Sequence, residues 1–179
     1  MALSFITRLF GGKKRIEALA AGAQAPAFAL KDGDGKSYPL GEALKQGPVL
    51  LAFFKVSCPV CQLAFPFLER IHQAVKGKTN VRLWGISQDD AGDTRAYARE
   101  YGCTFPLLLD EGGYPVSNAY GLTNVPTLFL VKPDGAIQLT SVGFDRKDIE
   151  AAAGEFGKLT GQRITAFQPS DQVPDFKPG

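Results

Sequence analysis

The chain has 179 residues, 45% of them hydrophobic, and a formal net charge of +2. A chain of this length buries roughly 70% of its unfolded surface as a single domain, so it needs no disulfide staples to fold. Its Lys, Arg, Asp and Glu residues are interspersed, which leaves no basic face for nucleic acid, and no apolar stretch reaches the about 18 to 20 residues of a membrane span.

The opening "MALSFITRLFGGKKR" places its apolar segment before the cations Lys13, Lys14 and Arg15, the reverse of a secretory signal. Leu3, Ile6 and Phe10 share a helical face, with Leu9 beside it. A short docking or frayed helix is expected there in preference to an interfacial anchor. Residues 1–20 are read as an N-terminal extension and the compartment as cytoplasmic. An odd count of three cysteines fits such a reducing compartment, in which a CxxC motif is catalytic or metal-binding rather than a structural bridge.

"AFALKDGDGKSYPL" carries two short apolar segments around Asp32-Gly33-Asp34-Gly35, the turn chemistry of a β-hairpin. "PVLLAFF" (48–54) is a continuous apolar run of strand length, as a strand covered on both faces requires. From Pro59 to Lys76, Val60, Leu63, Ala64, Phe67, Leu68, Ile71 and Val75 recur at helical spacing, and Gly77 supplies a stop. A strand is expected over 81–87, a helix over 93–102 capped by Asp93, and a strand over 105–110. A short helix near "YPVSNAYG" follows. "PTLFLV" then reads as a strand that turns through "KPDG" into a partner at "AIQLTSVG", and residues 146–160 make the last helix. Strands alternating with helices imply parallel βαβ units, with the last hairpin antiparallel. The fold class is therefore α/β, a mixed sheet between helical layers, over residues 21–161. The tail 162–179 holds Pro169, Pro174 and Pro178 and is expected to lie extended over the surface.

The chemistry is concentrated in "FKVSCPVCQ" (54–62). A strand leading into Cys58, with a helix starting at Pro59, sets the Cys58 sulfur at a helix N-terminus, where unpaired N–H groups and the macrodipole favour a thiolate. Pro59 suits the first helical position, because its missing N–H has no partner to lose. Cys61 lies one turn on, roughly 5 to 6 Å away and within the range of a disulfide. Helical phase turns Cys58 away from the apolar stripe and sets Cys61 at its edge. One thiol is exposed to attack, and the other is sheltered to resolve. Zinc is the competing reading, since Cys58, Cys61, Cys103 and His72 total a Cys₃His set. Eleven residues of helix hold His72 about 16 Å from Cys61, so they cannot share an ion. The three cysteines alone lack a fourth ligand, and no metal is expected. His72 is read as a solvated flank residue and Cys103 as a small core hydrophobe.

"VLLAFFKVSCPVCQLAFPFLERI" resembles the active-site strand and helix of the thioredoxin superfamily, including Pro66 five residues after Cys61. "NVPTLFLVKPDG" resembles the same fold's cis-proline loop. The stretch from "APAFALKDGDGKSYPL" to Thr160 is similar to the redoxins of the alkyl hydroperoxide reductase and thiol-specific antioxidant superfamily. The resemblance implies a thioredoxin-like three-layer sandwich with an N-terminal β-hairpin. It further implies a cis Val125–Pro126 bond beside the cysteines and substrate contact at Val125, Pro126 and Thr127. Two departures stand out. Ala52 occupies the strand position where many thioredoxins carry a buried acid, and Ser57 precedes Cys58 in place of tryptophan.

The activity implied is thiol–disulfide exchange, with Cys58 attacking and Cys61 resolving. Its partners would be a disulfide-containing protein or small thiol substrate and an unidentified thiol electron donor. No cofactor, nucleic acid or transmembrane segment is implied. The alternatives are a thiol peroxidase with Cys58 as the peroxidatic residue and a redox-sensing binding module. Peroxiredoxins place a threonine three residues before the reactive cysteine and an arginine downstream; here Lys55 and Pro126 stand in those places. Lys55 remains as a candidate electrostatic group.

Overall fold

The structure, a computed structural model, describes residues 17–179. The expectations for the apolar opening and for Lys13, Lys14 and Arg15 lie outside the described residues. From residue 19 onward the chain is tied to the sheet. The Leu19 amide donates to the Tyr120 carbonyl at 3.1 Å, and Thr140 Oγ1 donates to the Leu19 carbonyl at 2.6 Å.

The hairpin forms where the Asp-Gly run is placed. Strands β1 (Ala29–Asp32) and β2 (Ser37–Pro39) pair antiparallel. The Asp32 carboxylate closes their turn by accepting from the Asp34 and Lys36 amides, each at 3.0 Å. Helix α1 (Leu40–Leu44) leads into β3 (Val49–Phe54), which is buried along its whole length. The other elements are α2 (Pro59–Ala74), β4 (Arg82–Ser87), α3 (Ala91–Tyr101), β5 (Leu107–Leu109), α4 (Pro115–Ala119), β6 (Thr127–Val131), β7 (Ile137–Val142), β8 (Phe144–Asp145), α5 (Arg146–Thr160) and β9 (Phe176–Lys177).

The main sheet runs β2-β1-β5-β4-β3-β6-β7. Within it β3, β4 and β5 are mutually parallel, while β6 pairs antiparallel with both β3 and β7. Alternation along β3 explains its continuous apolar run. Leu50, Ala52 and Phe54 face the layer that includes α2 and α5, and Val49, Leu51 and Phe53 face the α1 and α4 side. This is the expected three-layer α/β sandwich with a mixed sheet. β3 lies inside the sheet between β4 and β6, and its C-terminal end delivers the cysteine loop beside the N-terminal end of β6.

Three expectations need correction. Helix α3 is capped by Asp90, not Asp93: the Asp90 carboxylate accepts from the Asp93 amide at 2.9 Å. The apolar pattern of this helix begins only at Thr94, which hides its polar first turn. His72 is not a solvated flank residue; it is half-buried, edge-on to Phe105 with ring centroids 5.8 Å apart, and burial draws its pKa down.

The tail is also not merely laid over the surface. Phe167 is buried, its ring 4.5 Å from that of Phe67 and 5.9 Å from that of Phe144. Arg70 grips the Asp171 carboxylate with both guanidinium nitrogens, one at 3.1 Å. Strand β9 then pairs antiparallel with β8. Proline content signals an extended backbone, but the aromatic anchor at Phe167 decides that the segment docks.

Candidate active site

Residues 55–57 turn the chain from β3 into α2, and three hydrogen bonds hold the turn. The Val56 amide donates to Asp89 Oδ2 at 2.8 Å, Gln62 Nε2 donates to the Val56 carbonyl at 2.9 Å, and the Cys58 amide donates to the Lys55 carbonyl at 3.2 Å. Cys58 is thereby the N-cap of α2, with an extended backbone at φ −84° and ψ 114° and Pro59 in the first helical turn. Its sulfur accepts from the Cys61 amide at 3.3 Å. This is the contact of a side-chain helix cap, here made by sulfur, and it aims an unpaired helical N–H at the thiol. Helix α2 continues through Pro66.

The two thiols differ in environment. Cys58 is partly buried, while Cys61 is 0% exposed and packed into the core from the buried face of α2. Burial pushes the Cys61 thiol far above its ordinary range. The Cys58 sulfur adds to the rise, the Lys55 backbone amide offsets part of it, and the Asp89 charge raises it further.

The second landmark meets the first. The Val125–Pro126 peptide bond is cis, and the Cys58 thiol donates to the Val125 carbonyl at 3.3 Å. Thr127 does not face a substrate as the resemblance implied. It is fully buried, and its Oγ1 donates to the Asn124 carbonyl at 2.7 Å, so it braces the loop from beneath. Lys55 is directed elsewhere: its ammonium lies 5.6 Å from the centre of the Tyr114 ring. Cys103 is half-buried against the same core as Cys61, and its thiol is pushed up to about 12 by burial, with Glu69 adding to the rise. It belongs to the packing.

Ala52, at the middle of β3, is buried among apolar groups. Asp89, just beyond the end of β4, is the carboxylate whose charge adds the smallest part of the rise at Cys61. Asp89, Gln62 and Asn124 were not singled out by sequence. The legible signal was position alone, since Asp89 follows a buried parallel strand at the sheet edge where such folds gather their functional groups. Among the described residues no three His, Cys, Asp or Glu side chains converge to hold a metal. A concavity lined by Tyr38, His72, Lys76, Arg82 and Trp84 sits at the far end of α2. A helix of 16 residues, about 24 Å long, separates it from Cys58.

The chain matches the model of the AhpC/TSA family over residues 21–140. It is 32% identical over 124 residues to a thiol-disulfide oxidoreductase ResA from Halalkalibacterium halodurans, covering 69% of each chain. It is also 31% identical to the thioredoxin-like protein YneN of Bacillus subtilis, covering 72% of this chain and 76% of that one. Among solved structures, a thiol:disulfide interchange protein DsbE from Chlorobium tepidum, itself described as putative, superposes with a TM-score of 0.67 at 27% identity. That match covers 77% of this chain and 96% of the other.

Proposed function

The chain belongs to the AhpC/TSA family and is a thiol–disulfide oxidoreductase, and we propose that Cys58 is its attacking thiol and Cys61 its resolving thiol. The observation that carries the assignment is the asymmetry of the pair. Cys58 is only partly buried, with its sulfur accepting an N–H at a helix N-terminus, whereas Cys61 is fully enclosed.

In the first step the Cys58 thiolate attacks one sulfur of a substrate disulfide. A Cys58–substrate bond forms, the substrate S–S bond breaks, and the other substrate sulfur leaves as a thiolate that takes a proton. In the second step the Cys61 thiolate attacks the Cys58 sulfur, forming the Cys58–Cys61 disulfide and expelling the remaining substrate thiol. Two electrons pass from the protein dithiol to the substrate. A thiol donor from outside the chain restores the dithiol by the reverse sequence.

The chain's own groups serve these steps. The Cys61 amide donates to the Cys58 sulfur and holds it at the entrance of α2. The Val125 carbonyl, at 3.3 Å from that sulfur, fixes where an extended substrate segment would run, so that Val125 and Pro126 form its contact edge. No comparable group favours peroxide: the Cys58 sulfur's hydrogen-bond partners among the described residues are the Cys61 amide and the Val125 carbonyl, and Lys55 is spent on Tyr114.

The test is reduction of a model disulfide by the purified protein with a dithiol as donor. Cys58→Ser should abolish turnover and Cys103→Ser should not. Loss on Cys103→Ser with retention on Cys58→Ser would reverse the assignment.

A further inference from the structure

The tail that the sequence placed on the surface reaches the site itself. Beyond the Arg70–Asp171 pair the chain meets the start of α5, where the Asp175 carbonyl accepts from the Arg146 amide at 2.9 Å. Strand β9 pairs with β8, and residues 177–179 then cross Gly143. A Cβ on Gly143 would stand 2.6 Å from the Lys177 carbonyl oxygen and 3.0 Å from the Gly179 nitrogen. The crossing is possible because Gly143, at φ 85°, presents no side chain.

The segment then reaches the proline loop. Asn124 Nδ2 donates to the Gly179 carbonyl at 2.9 Å. Gly179 lies so close to Val125 that a Cβ on it would be 2.4 Å from the Val125 carbonyl oxygen. That same oxygen accepts from the Cys58 thiol. One carbonyl therefore touches both the proposed nucleophile and the tail.

From this geometry we propose that residues 174–179 form a strap over the substrate edge and set substrate size: low-molecular-weight disulfides reach Cys58 past it, and protein disulfides must first displace it. The proposal rests on the assignment of Cys58 and of the Val125 edge made above. An extended polypeptide substrate would run along the Val125 edge, where Gly179 already sits, and two backbones cannot occupy one place. A small disulfide needs only a path to the sulfur of the partly buried Cys58. The hold is modest, since the described contacts of the strap are a two-residue ladder, the Asp175 and Gly179 hydrogen bonds, and close packing on Gly143 and Val125. A competing strand can therefore displace it.

The experiment compares rates with hydroxyethyl disulfide and with insulin for the wild type, Gly179→Val, and a chain lacking residues 174–179. Both variants keep Phe167 and the Arg70–Asp171 pair. Amide exchange at Arg146 reports strap release, because that N–H loses the Asp175 carbonyl. The expected result is faster exchange at Arg146 and an insulin rate raised about fivefold or more, the factor that follows from removing one or two ordinary hydrogen bonds. The hydroxyethyl disulfide rate should stay within about twofold, well below that factor. Release of the strap with an unchanged ratio of the two rates overturns the proposal, and so does an equal fall in both rates. If the wild type reacts with neither disulfide, the exchange reading fails and the strap's role falls with it.

Discussion

The Cys58 thiol donates to the Val125 carbonyl at 3.3 Å, although 67 residues separate them in the chain. The contact exists because β3 and β6 are adjacent antiparallel strands inside the sheet. The C-terminal end of β3 thereby lies beside the N-terminal end of β6, and each strand delivers one loop to the same edge. In the proposed exchange Cys58 would contribute the reactive sulfur, and Val125 a backbone along which an extended partner would run. Packing of two fully buried strands thus sets the spacing between these two residues.

The asymmetry of the cysteines predicts the outcome of trapping. Cys61→Ser leaves the capping amide in place and removes only the resolving sulfur, so a stable mixed disulfide at Cys58 should accumulate with insulin. Non-reducing electrophoresis would show it, and Cys58→Ser should give none. Faster alkylation of Cys61 or Cys103 than of Cys58 by iodoacetamide at neutral pH contradicts the assignment.

Hydrogen peroxide should be consumed by the reduced protein no faster than by a free thiol. The sulfur lacks a described side-chain donor to polarise the O–O bond, and the nearby cation Lys55 is held over Tyr114. Stopped-flow mixing checks this directly, and rapid consumption that disappears in Cys58→Ser refutes it. Lys55→Ala should leave the slow rate unchanged.

Local chemistry made most of the fold and half of the site legible. Strand β3 could be read because burial on both faces demands an unbroken apolar run, and the start of α2 because Cys58-Pro59 has the grammar of a helix entrance. The Val125–Pro126 loop became legible only through resemblance, since nothing in the spacing places residue 125 beside residue 58. Asp89, Gln62 and Asn124 stayed hidden for a related reason. Each is an ordinary polar residue whose role comes from a partner brought close by folding: Val56 for the first two and Gly179 for the third. Thr127 misled in the opposite direction, because a loop motif does not reveal which of its side chains points inward.

The aromatic layer beneath the site should dominate stability. Phe65 is 0% exposed, with its ring 4.4 Å from Phe54, 5.4 Å from Tyr97 and 5.7 Å from Phe105. Phe65→Ala removes a large buried side chain and leaves a cavity, at a cost of about 3 to 5 kcal/mol. Phe65→Leu should cost less. Urea denaturation would rank them, and equal stabilities would show that the neighbouring rings collapse into the gap.

The buried Cys61 thiol gives the second chemical step a pH dependence of definite sign. Burial disfavours the charged thiolate, so its pKa is raised, chiefly by desolvation and further by the Cys58 sulfur and the Asp89 charge. Below that raised value the reactive fraction grows about tenfold per pH unit, because the thiolate is the nucleophile. Resolution of a preformed Cys58 mixed disulfide should therefore accelerate across the neutral and mildly alkaline range without a plateau. Asp89→Asn tests the electrostatic part separately. The amide retains an oxygen to accept from the Val56 amide and removes the negative charge, so the Cys61 pKa should fall and resolution at neutral pH should quicken. Asp89→Ala also removes that charge but leaves the partly buried Val56 N–H without its partner, at a cost of about 1 to 3 kcal/mol. Its loop should loosen and its melting temperature drop. Rapid-quench measurement of thiol release from a mixed disulfide with a small aromatic thiol separates the cases. A pH-independent rate, or slower resolution in Asp89→Asn, contradicts the account.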